Sequence, residues 1–321
     1  MKKLIKKMRN IILLILMLIT ITSCLGDSNL IPKNLFGGVS ETAGEGIRIE
    51  VLNYPNSLRQ GQHFSIKVKL TNELYEQVEG RLCITDSPNS KGVIPAEGEC
   101  LDSISLQPSE LIEGRSIPYE ETFNFPLNSG SYSYEKVDKE FALRTNFVIS
   151  FKYNVKTKHG SDICLKNPQL DEEMVDIPCP DIESLSIQQP RTPIQITNVK
   201  KELVPGVGDE GTLNLQFTIQ KDQDGRVIDI DDIYKTGISQ KERIRVEGIQ
   251  LGGTSFVCSP IESDNMIELR ENERVINCYS SVSIQGSHIQ DMLIINLAYG
   301  FEQRTNLPQI EVEPQGSQRR V

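Results

Sequence analysis

The chain has 321 residues, enough for two domains of ordinary size, and its 34 Lys and Arg residues against 44 Asp and Glu residues give a formal net charge of −10. This acidic balance argues against nucleic acid and anionic lipid headgroups as primary partners. Trp is absent and aromatic residues make up only 6% of the chain, so few side chains are available to anchor binding hot spots or to stack on sugars.

The first 23 residues have the pattern of a signal peptide. The opening MKKLIKKMRN is basic, and the apolar run IILLILMLITI (11–21) follows it. This run is too short to cross a hydrocarbon core comfortably, because a spanning helix needs ~20 residues. Removing the five basic residues of this leader lowers the net charge from −10 to about −15.

The leader ends in Ile21-Thr22-Ser23-Cys24, which resembles the prokaryotic lipobox: an aliphatic residue, two small residues and a cysteine. Ile and Ser at the first and third positions depart from the usual Leu and Ala or Gly. The resemblance implies that Cys24 carries lipid, including palmitate, and becomes the first residue after cleavage. It also implies a membrane anchor, with the protein on the extracytoplasmic side of the cell membrane, and each buried CH₂ of the lipid would contribute ~0.8 kcal/mol. The alternative is an uncleaved N-terminal anchor, which places the remaining chain in the same compartment.

The other six cysteines are even in number and follow one another in three closely spaced pairs. Outside the cytoplasm this pattern favours disulfides, and although 15 connectivities are possible, spacing favours sequential pairing. The predicted bonds are Cys83–Cys100, Cys164–Cys179 and Cys258–Cys278. Each would close a loop worth ~3 kcal/mol in the chain-entropy model. Zinc is the competing interpretation, but no C-x₂₋₄-C spacing occurs and the three histidines lie far apart in sequence.

Two stretches, FSIKVKL (64–70) and LNLQFTI (213–219), alternate apolar and polar residues. A period of two marks half-buried strands, and turn residues separate many such segments. The residues predicted to face the core are Phe64, Ile66, Val68 and Leu70 in the first stretch and Leu213, Leu215, Phe217 and Ile219 in the second. SELIEG (109–114) and ISQKER (238–243) could each form a helical turn. The sequence therefore predicts an all-β protein, with a barrel as the alternative to a sandwich.

The strand pattern occurs twice in the same order. HFSIKVKL (63–70) matches TLNLQFTI (212–219), and FVISFKYNV (147–155) matches LIINLAYGF (293–301), which aligns Tyr153 with Tyr299. IRIEV near the start of the first unit matches IQITNV in the second, and aligning Cys100 with Cys278 superposes two Ser-x-Ser-x-Gln stretches. We therefore expect a tandem duplication of two Ig-like β-sandwich domains.

The predicted boundaries follow from this duplication. They are a signal peptide (1–23), a lipidated flexible tether (24–45), β-sandwich domain 1 (46–168), a linker (169–191), β-sandwich domain 2 (192–312) and a disordered tail (313–321).

The stretch GQHFSIKVKLTN, with Leu70-Thr71-Asn72 after a Gly turn, resembles the CARDB type of surface module related to cell adhesion. The second unit has Ile219-Gln220-Lys221 in place of this ending. The resemblance implies a surface β-sandwich.

The acidic stretch KDQDGRVIDIDD (221–232) is the one candidate metal site, because clustered carboxylates suit Ca²⁺. The weak candidate ligands are Asp222, Asp224, Asp229 and Asp231. The EF-hand spacing fails, since Gly225 falls at position 4 of the loop instead of position 6. We expect a β-turn with solvated acids here, and we assign no metal and no cofactor.

No motif gives a catalytic set. KHGSDIC (158–164) contains His159, Ser161 and Asp162, but neighbours along one segment do not converge, and a hairpin turn leading into a disulfide is expected. GVGDEG (206–211) lacks the Lys of a phosphate loop and precedes a strand, so it is expected to be a turn. His63 and His288 stand alone beside strands.

These features together predict a non-enzymatic, lipid-anchored envelope or surface protein that presents β-domains for binding or structural assembly. Its partners would be the membrane, through Cys24, and an unidentified protein or surface polymer, with no nucleic acid. The first alternative is a lipid-anchored carrier or binding subunit for a small ligand, held in a cleft between the two units. A hydrolase accessory domain is a weaker one.

Overall fold

The computed structural model describes residues 46–86, 93–95, 98–137, 142–170, 179, 183–190, 192–235 and 241–315, all within one compact unit. The signal peptide, Cys24, the tether and the end of the tail lie outside the described residues. Within the described ranges, no helix is both long and apolar enough to cross a membrane.

The described residues form an all-β structure, which confirms the predicted fold class. A 3₁₀ turn lies at Ile230–Asp232. In chain order the strands are β1 (Ile47–Asn53), β2 (Ser57–Arg59), β3 (Ile66–Asn72), β4 (Val78–Asp86), β5 (Glu99–Leu106), β6 (Glu110–Ile112), β7 (Arg115–Ile117), β8 (Tyr119–Phe125), β9 (Leu143–Thr145), β10 (Phe147–Lys166), β11 (Ser184–Leu185), β12 (Ile194–Pro205), β13 (Glu210–Lys221), β14 (Arg226–Ile228), β15 (Arg243–Leu251), β16 (Thr254–Ser255), β17 (Val257–Ser259), β18 (Met266–Glu268), β19 (Glu273–Ser283), β20 (His288–Asn306) and β21 (Ile310–Glu313).

These strands form several sheets, consistent with β-sandwich domains. Sheet I has the order β1-β3-β8, and sheet III has the order β11-β12-β13-β19-β17. Sheet II has the order β16-β15-β20-β10-β4-β5, with β14 on β20 and β18 on β15. Sheet IV is β2-β21-β9, and β6 and β7 form a separate hairpin.

The two halves of the chain share sheets II and IV. β10 pairs antiparallel with β20 from Val148↔Asn306 to Lys166↔His288, so strands of residues 46–168 and 192–312 are hydrogen-bonded neighbours along their full length. In sheet IV, β21 pairs with both β2 and β9 of the first half. The expectation that residues 169–191 alone connect two separate sandwiches is therefore wrong, because backbone pairing joins the halves directly.

Strand order nevertheless repeats between the halves. The first half contributes the strand orders β1-β3-β8 and β5-β4-β10, and the second half contributes β12-β13-β19 and β16-β15-β20. The register agrees as well: the first residue of β1 pairs with the last residue of β3 (Ile47↔Asn72), as Ile194 pairs with Lys221 in β12 and β13. Tyr153 and Tyr299 lie on the equivalent strands β10 and β20, and both are fully buried.

The cysteine alignment does not follow this equivalence. Cys100 lies on β5, at the edge of sheet II, whereas Cys278 lies on β19, in sheet III. β19 is equivalent to β8, which has no cysteine. Aligning the two Ser-x-Ser-x-Gln stretches was therefore wrong, because such a pattern fits any strand with one exposed face.

The predicted core residues are all buried. The four of β3 and its approach are at most 8% exposed, and the four of β13 at most 1%. They belong to one hydrophobic cluster that also contains β10 and β20. Each large apolar side chain buried in this way contributes roughly 1.5–3 kcal/mol. The core thus runs through both halves.

Three local expectations are corrected. Residues 158–164 continue β10 and are not a hairpin turn, because β20 supplies an unbroken partner strand. Residues 109–114 lie in the β6–β7 hairpin instead of a helical turn, and Glu113 and Gly114 at its tip have φ of 51° and 79°. Part of the predicted linker is structured: Ser184 and Leu185 pair with β12, and Gln188 bridges Gly160.

Candidate binding groove beside two disulfides

A groove of about 890 Å³ lies beside sheet III, where the end of β10 approaches β12, β13, β17 and β19. Two disulfides flank it through Cys164 and Cys278. Its other lining residues are mostly polar. They are Leu165, Lys166, Pro168, Glu183, Lys200, Lys201, Glu202, Leu203, Asn214, Leu215, Gln216, Ser259, Asn277 and Tyr279.

The alternation of β13 explains why this lining is polar. Leu213, Leu215 and Phe217 are buried, whereas Gln216 is exposed and Asn214 partly exposed on the opposite face. The apolar residues of the strand thus supply the core while the residues between them supply amides to the surface.

Hydrogen bonds hold part of this lining in place. The Lys201 ammonium donates to the Cys164 carbonyl oxygen at 2.5 Å, which ties β12 to the end of β10. The Gln216 amide donates to Asn277 Oδ1 at 2.8 Å across β13 and β19. Tyr279 leaves 55% of its surface exposed, so an aromatic face is open to solvent beside the two amides.

The groove offers ammonium groups, carboxylates, amides and one aromatic ring. Its volume falls in the range of roughly 300–1,000 Å³ that is usual for small-ligand sites. Such a lining can hold a polar ligand through hydrogen bonds, with the ring of Tyr279 as an apolar contact. The groove lies between the last strand of the first half and a sheet of the second half.

The three predicted disulfides are present, as Cys83–Cys100, Cys164–Cys179 and Cys258–Cys278. Cys83 lies directly opposite Cys100 in the β4–β5 ladder, with Cα atoms 4.1 Å apart. Cys258 lies opposite Cys278 between β17 and β19, with Cα atoms 4.0 Å apart. Each of these two bonds fixes an edge strand to its inner neighbour, whereas the third fixes residue 179 to the end of β10.

Two of the four acidic candidate residues, Asp229 and Asp231, form ion pairs within the protein. The Arg245 guanidinium lies 2.6 Å from an Asp231 oxygen and 3.8 Å from an Asp229 oxygen, and these carboxylates raise its pKa. Asp229 also accepts a hydrogen bond from the Asp231 backbone N–H and so caps the 3₁₀ turn. Asp222 and Asp224 lie in the exposed turn before β14. Among the described residues, no group of three or more His, Cys, Asp and Glu side chains could hold a metal ion.

The three histidines each contact different residues and do not form one cluster. His63 is exposed and contacts Ser131 Oγ at 2.8 Å, and His288 contacts Ser287 Oγ at 3.0 Å. His159 is fully buried in β10. Its Nδ1 lies 3.1 Å from Gln189 Oε1, its Nε2 lies 2.8 Å from Thr157 Oγ1, and burial lowers its pKa to about 4.

Sequence reasoning missed a charged row that crosses sheet II. Arg81, Lys152 and Glu302 are direct cross-strand partners on β4, β10 and β20. Lys152 and Glu302 are 7% and 2% exposed, and burial lowers the Lys152 pKa. The Lys152 ammonium donates to the Lys235 carbonyl oxygen at 3.0 Å, and Arg304 donates to Glu302 at 3.0 Å. The available signal was the position of Lys152 inside the apolar run FVISFKYNV.

Comparisons with known proteins do not place the chain in a family. No protein-family model matches it, and no curated protein is significantly similar to it. Among solved structures, Escherichia coli alpha-2-macroglobulin activated by porcine elastase is similar at 11% sequence identity, with a TM-score of 0.15. The similarity covers 86% of this chain and 23% of that one. A TM-score of this size supports no conclusion about fold or function.

Proposed function

We propose that the protein is a non-enzymatic, lipid-anchored protein of the extracytoplasmic face of the cell membrane, and that it presents its β-unit for binding or structural assembly. The observation that carries this proposal is the set of three disulfides, two of which fix edge strands. Disulfides form and persist in oxidising compartments outside the cytoplasm. The leader ending in Ile21-Thr22-Ser23-Cys24 supports the same compartment and supplies the anchor.

Substitution of Cys24 tests the anchor. Cys24→Ser removes the thiol that would receive the lipid, so we expect a protein released from membranes or an uncleaved precursor. Ser23→Ala is the matched control, because Ala is a usual residue at that lipobox position and processing should continue. Detergent partitioning and the mass of the N-terminal peptide give the readout. A Cys24→Ser protein that is cleaved and partitions into detergent like the parent would contradict lipidation.

The groove supports a second candidate, a carrier or binding subunit for a small polar ligand. Its volume of about 890 Å³ and its lysine and amide lining favour this role. Native mass spectrometry of the protein isolated from its own membrane, before and after mild denaturation, would detect a retained ligand. Tyr279→Ala should reduce the liganded fraction, whereas Val275→Ala, on the same strand but outside the lining, should not. A protein that carries no ligand, or equal occupancy in both variants, would exclude this candidate.

A further inference from the structure

Among the described residues, the first half of the protein has an open sheet edge at β8, whereas the equivalent strand of the second half, β19, pairs with β17 over Asn277, Cys278 and Tyr279. Within the described residues, β8 lies at the edge of sheet I and pairs only with β3. Its equivalent β19 lies between β13 and β17. The edge of β8 therefore offers backbone N–H and C=O groups in a row, which is the template for addition of another strand.

The register of β8 on β3 and of β19 on β13 shows which residues of β8 and β19 are equivalent. Counting back six residues from the equivalent pair Asn72 and Lys221 gives Ile66 and Leu215, whose partners are Phe125 on β8 and Cys278 on β19. Cys278 is covered by β17 through its direct pairing with Cys258. The end of β8 thus corresponds to a place where this fold accepts an additional antiparallel strand.

The charged residues on the exposed face of sheet I indicate which side chains an added strand would carry. The Lys69 ammonium lies 2.8 Å from a Glu50 oxygen and 3.3 Å from a Glu120 oxygen. One cation is thus shared between two carboxylates, on β1 and on β8. Because Glu120 lies on the outermost strand, a cationic side chain on an added strand would continue the alternation of charges across the sheet.

An apolar surface precedes the same edge in the chain. In the β6–β7 hairpin, Leu111, Ile112 and Ile117 are 52%, 48% and 49% exposed. The pairs Glu110↔Ile117 and Ile112↔Arg115 place the two isoleucines on one face of the hairpin. Since Ile117 lies two residues before β8, this surface is connected to the open edge.

We propose that β8 is the docking edge for an extended segment of a partner protein, which adds to sheet I as an antiparallel fourth strand. The segment carries Lys or Arg opposite Glu120 and apolar residues between its cations. Its apolar residues extend toward the β6–β7 hairpin. This inference rests on the proposed binding function and names the class of its partner. An acidic segment is disfavoured, because it would place like charges beside Glu120.

The test uses the full-length lipoprotein in detergent and a capped synthetic peptide of alternating Val and Lys. We expect binding that slows amide exchange in residues 119–125. Methylating alternate backbone nitrogens of the peptide removes its donors without changing its side chains, and it should weaken binding more than about tenfold. Glu120→Lys should weaken binding about fivefold. The matched control is Glu273→Lys, at the equivalent position of β19, and it should leave binding unchanged.

Three results would overturn the proposal. One is binding that ignores backbone methylation or is equal for a Val/Glu peptide. Another is the absence of exchange protection in residues 119–125. The third is self-association of the protein through these residues without peptide, which would make a second copy the occupant. Detergent partitioning of the same sample reports on the anchor separately, so a correctly anchored protein that does not bind the peptide overturns the edge proposal alone.

Discussion

His159 makes the stability of this protein depend on pH through one buried imidazole. The side chain is fully buried in β10, and its two ring nitrogens contact Gln189 and Thr157. The same Gln189 oxygen accepts a hydrogen bond from the Ile196 backbone N–H at 2.8 Å, so it acts as an acceptor toward His159 and the imidazole donates from Nδ1. Protonation would place a positive charge where, among the described residues, no carboxylate is hydrogen-bonded to the ring to offset its burial.

The size of the effect follows from the pKa. Burial lowers the pKa of His159 from 6.5 to about 4, so between these values the unfolded chain binds more protons than the folded chain. The contribution of neutral His159 to the free energy of unfolding is therefore fully present above pH 6.5, and it is lost progressively as the pH falls toward 4. Each pKa unit corresponds to ~1.36 kcal/mol, so the loss across this window is on the order of 3 kcal/mol.

Denaturant unfolding at a series of pH values between 7 and 3.5 measures this dependence. Subtracting the curve of His159→Gln from that of the parent isolates the imidazole, because carboxylates titrate similarly in both proteins. His63→Gln is the matched control, since it replaces an exposed histidine outside the core. A His159→Gln protein whose free energy of unfolding varies with pH as steeply as the parent's would refute the reasoning.

Three further predictions concern the paired halves. Asn72→Ala should cost about 2–4 kcal/mol, because its buried amide donates to the backbone carbonyls of Glu76, Leu106 and Gln107 and its oxygen accepts from Leu74 N–H. Asn124→Ala on the exposed face should cost under about 0.5 kcal/mol, and urea titration compares the two variants. Tyr299→Phe should cost about 1–2 kcal/mol, because its hydroxyl accepts from Ile194 N–H at 3.2 Å, and Tyr153→Phe should cost less, because its hydroxyl has no hydrogen-bond partner among the described residues; equal losses would contradict this. Finally, calorimetry of the oxidised protein should give one cooperative transition, because β10 and β20 pair along their length, and two resolved transitions would show that the halves unfold independently.

Much of the strand content could be predicted because one face of each strand is buried. The alternation in FSIKVKL and LNLQFTI predicted which eight residues are buried in β3, its approach and β13. Cysteine spacing predicted the disulfides for a similar reason, since cross-strand pairs must be close in a hairpin-rich chain. These are local properties, and a local pattern is enough to reveal them.

The shared sheet could not be predicted in this way. Pairing of β10 with β20 joins residues that are between 122 and 158 positions apart, from Lys166↔His288 to Val148↔Asn306, and nothing in either strand specifies the other by pattern. In the structure, FVISFKYNV has buried residues on both faces, at Phe151, Lys152 and Tyr153, which is typical of a strand in the middle of a sheet. A central strand needs partners on both sides, and the first half supplies only β4.

The groove and the open edge also arise from long-range pairing. Lys166 and Lys200 belong to segments whose sequence separation hides their proximity. The groove forms where β10 continues beyond Tyr153, the last residue paired with β4, and reaches sheet III. Sequence reasoning used the apolar face of β13 and left its polar face unassigned. That polar face is where the amides of the groove lie.

The equivalence of Asn72 and Lys221 shows why the duplication is better identified by structure than by residue type. Both residues end a strand opposite the first residue of a neighbouring strand in the sheet, and both extend a side-chain nitrogen toward the following loop. The Asn72 amide donates to the Glu76 carbonyl at 3.0 Å in that loop, whereas the Lys221 ammonium donates to the Gly225 carbonyl at 3.1 Å and to Glu242 at 3.0 Å. Glu242 in turn accepts from the Val227 N–H, so a side-chain pair does in the second half what a single amide does in the first. What the two halves share is therefore a donor at the strand end that fixes the next loop, and two different residue types meet that physical requirement.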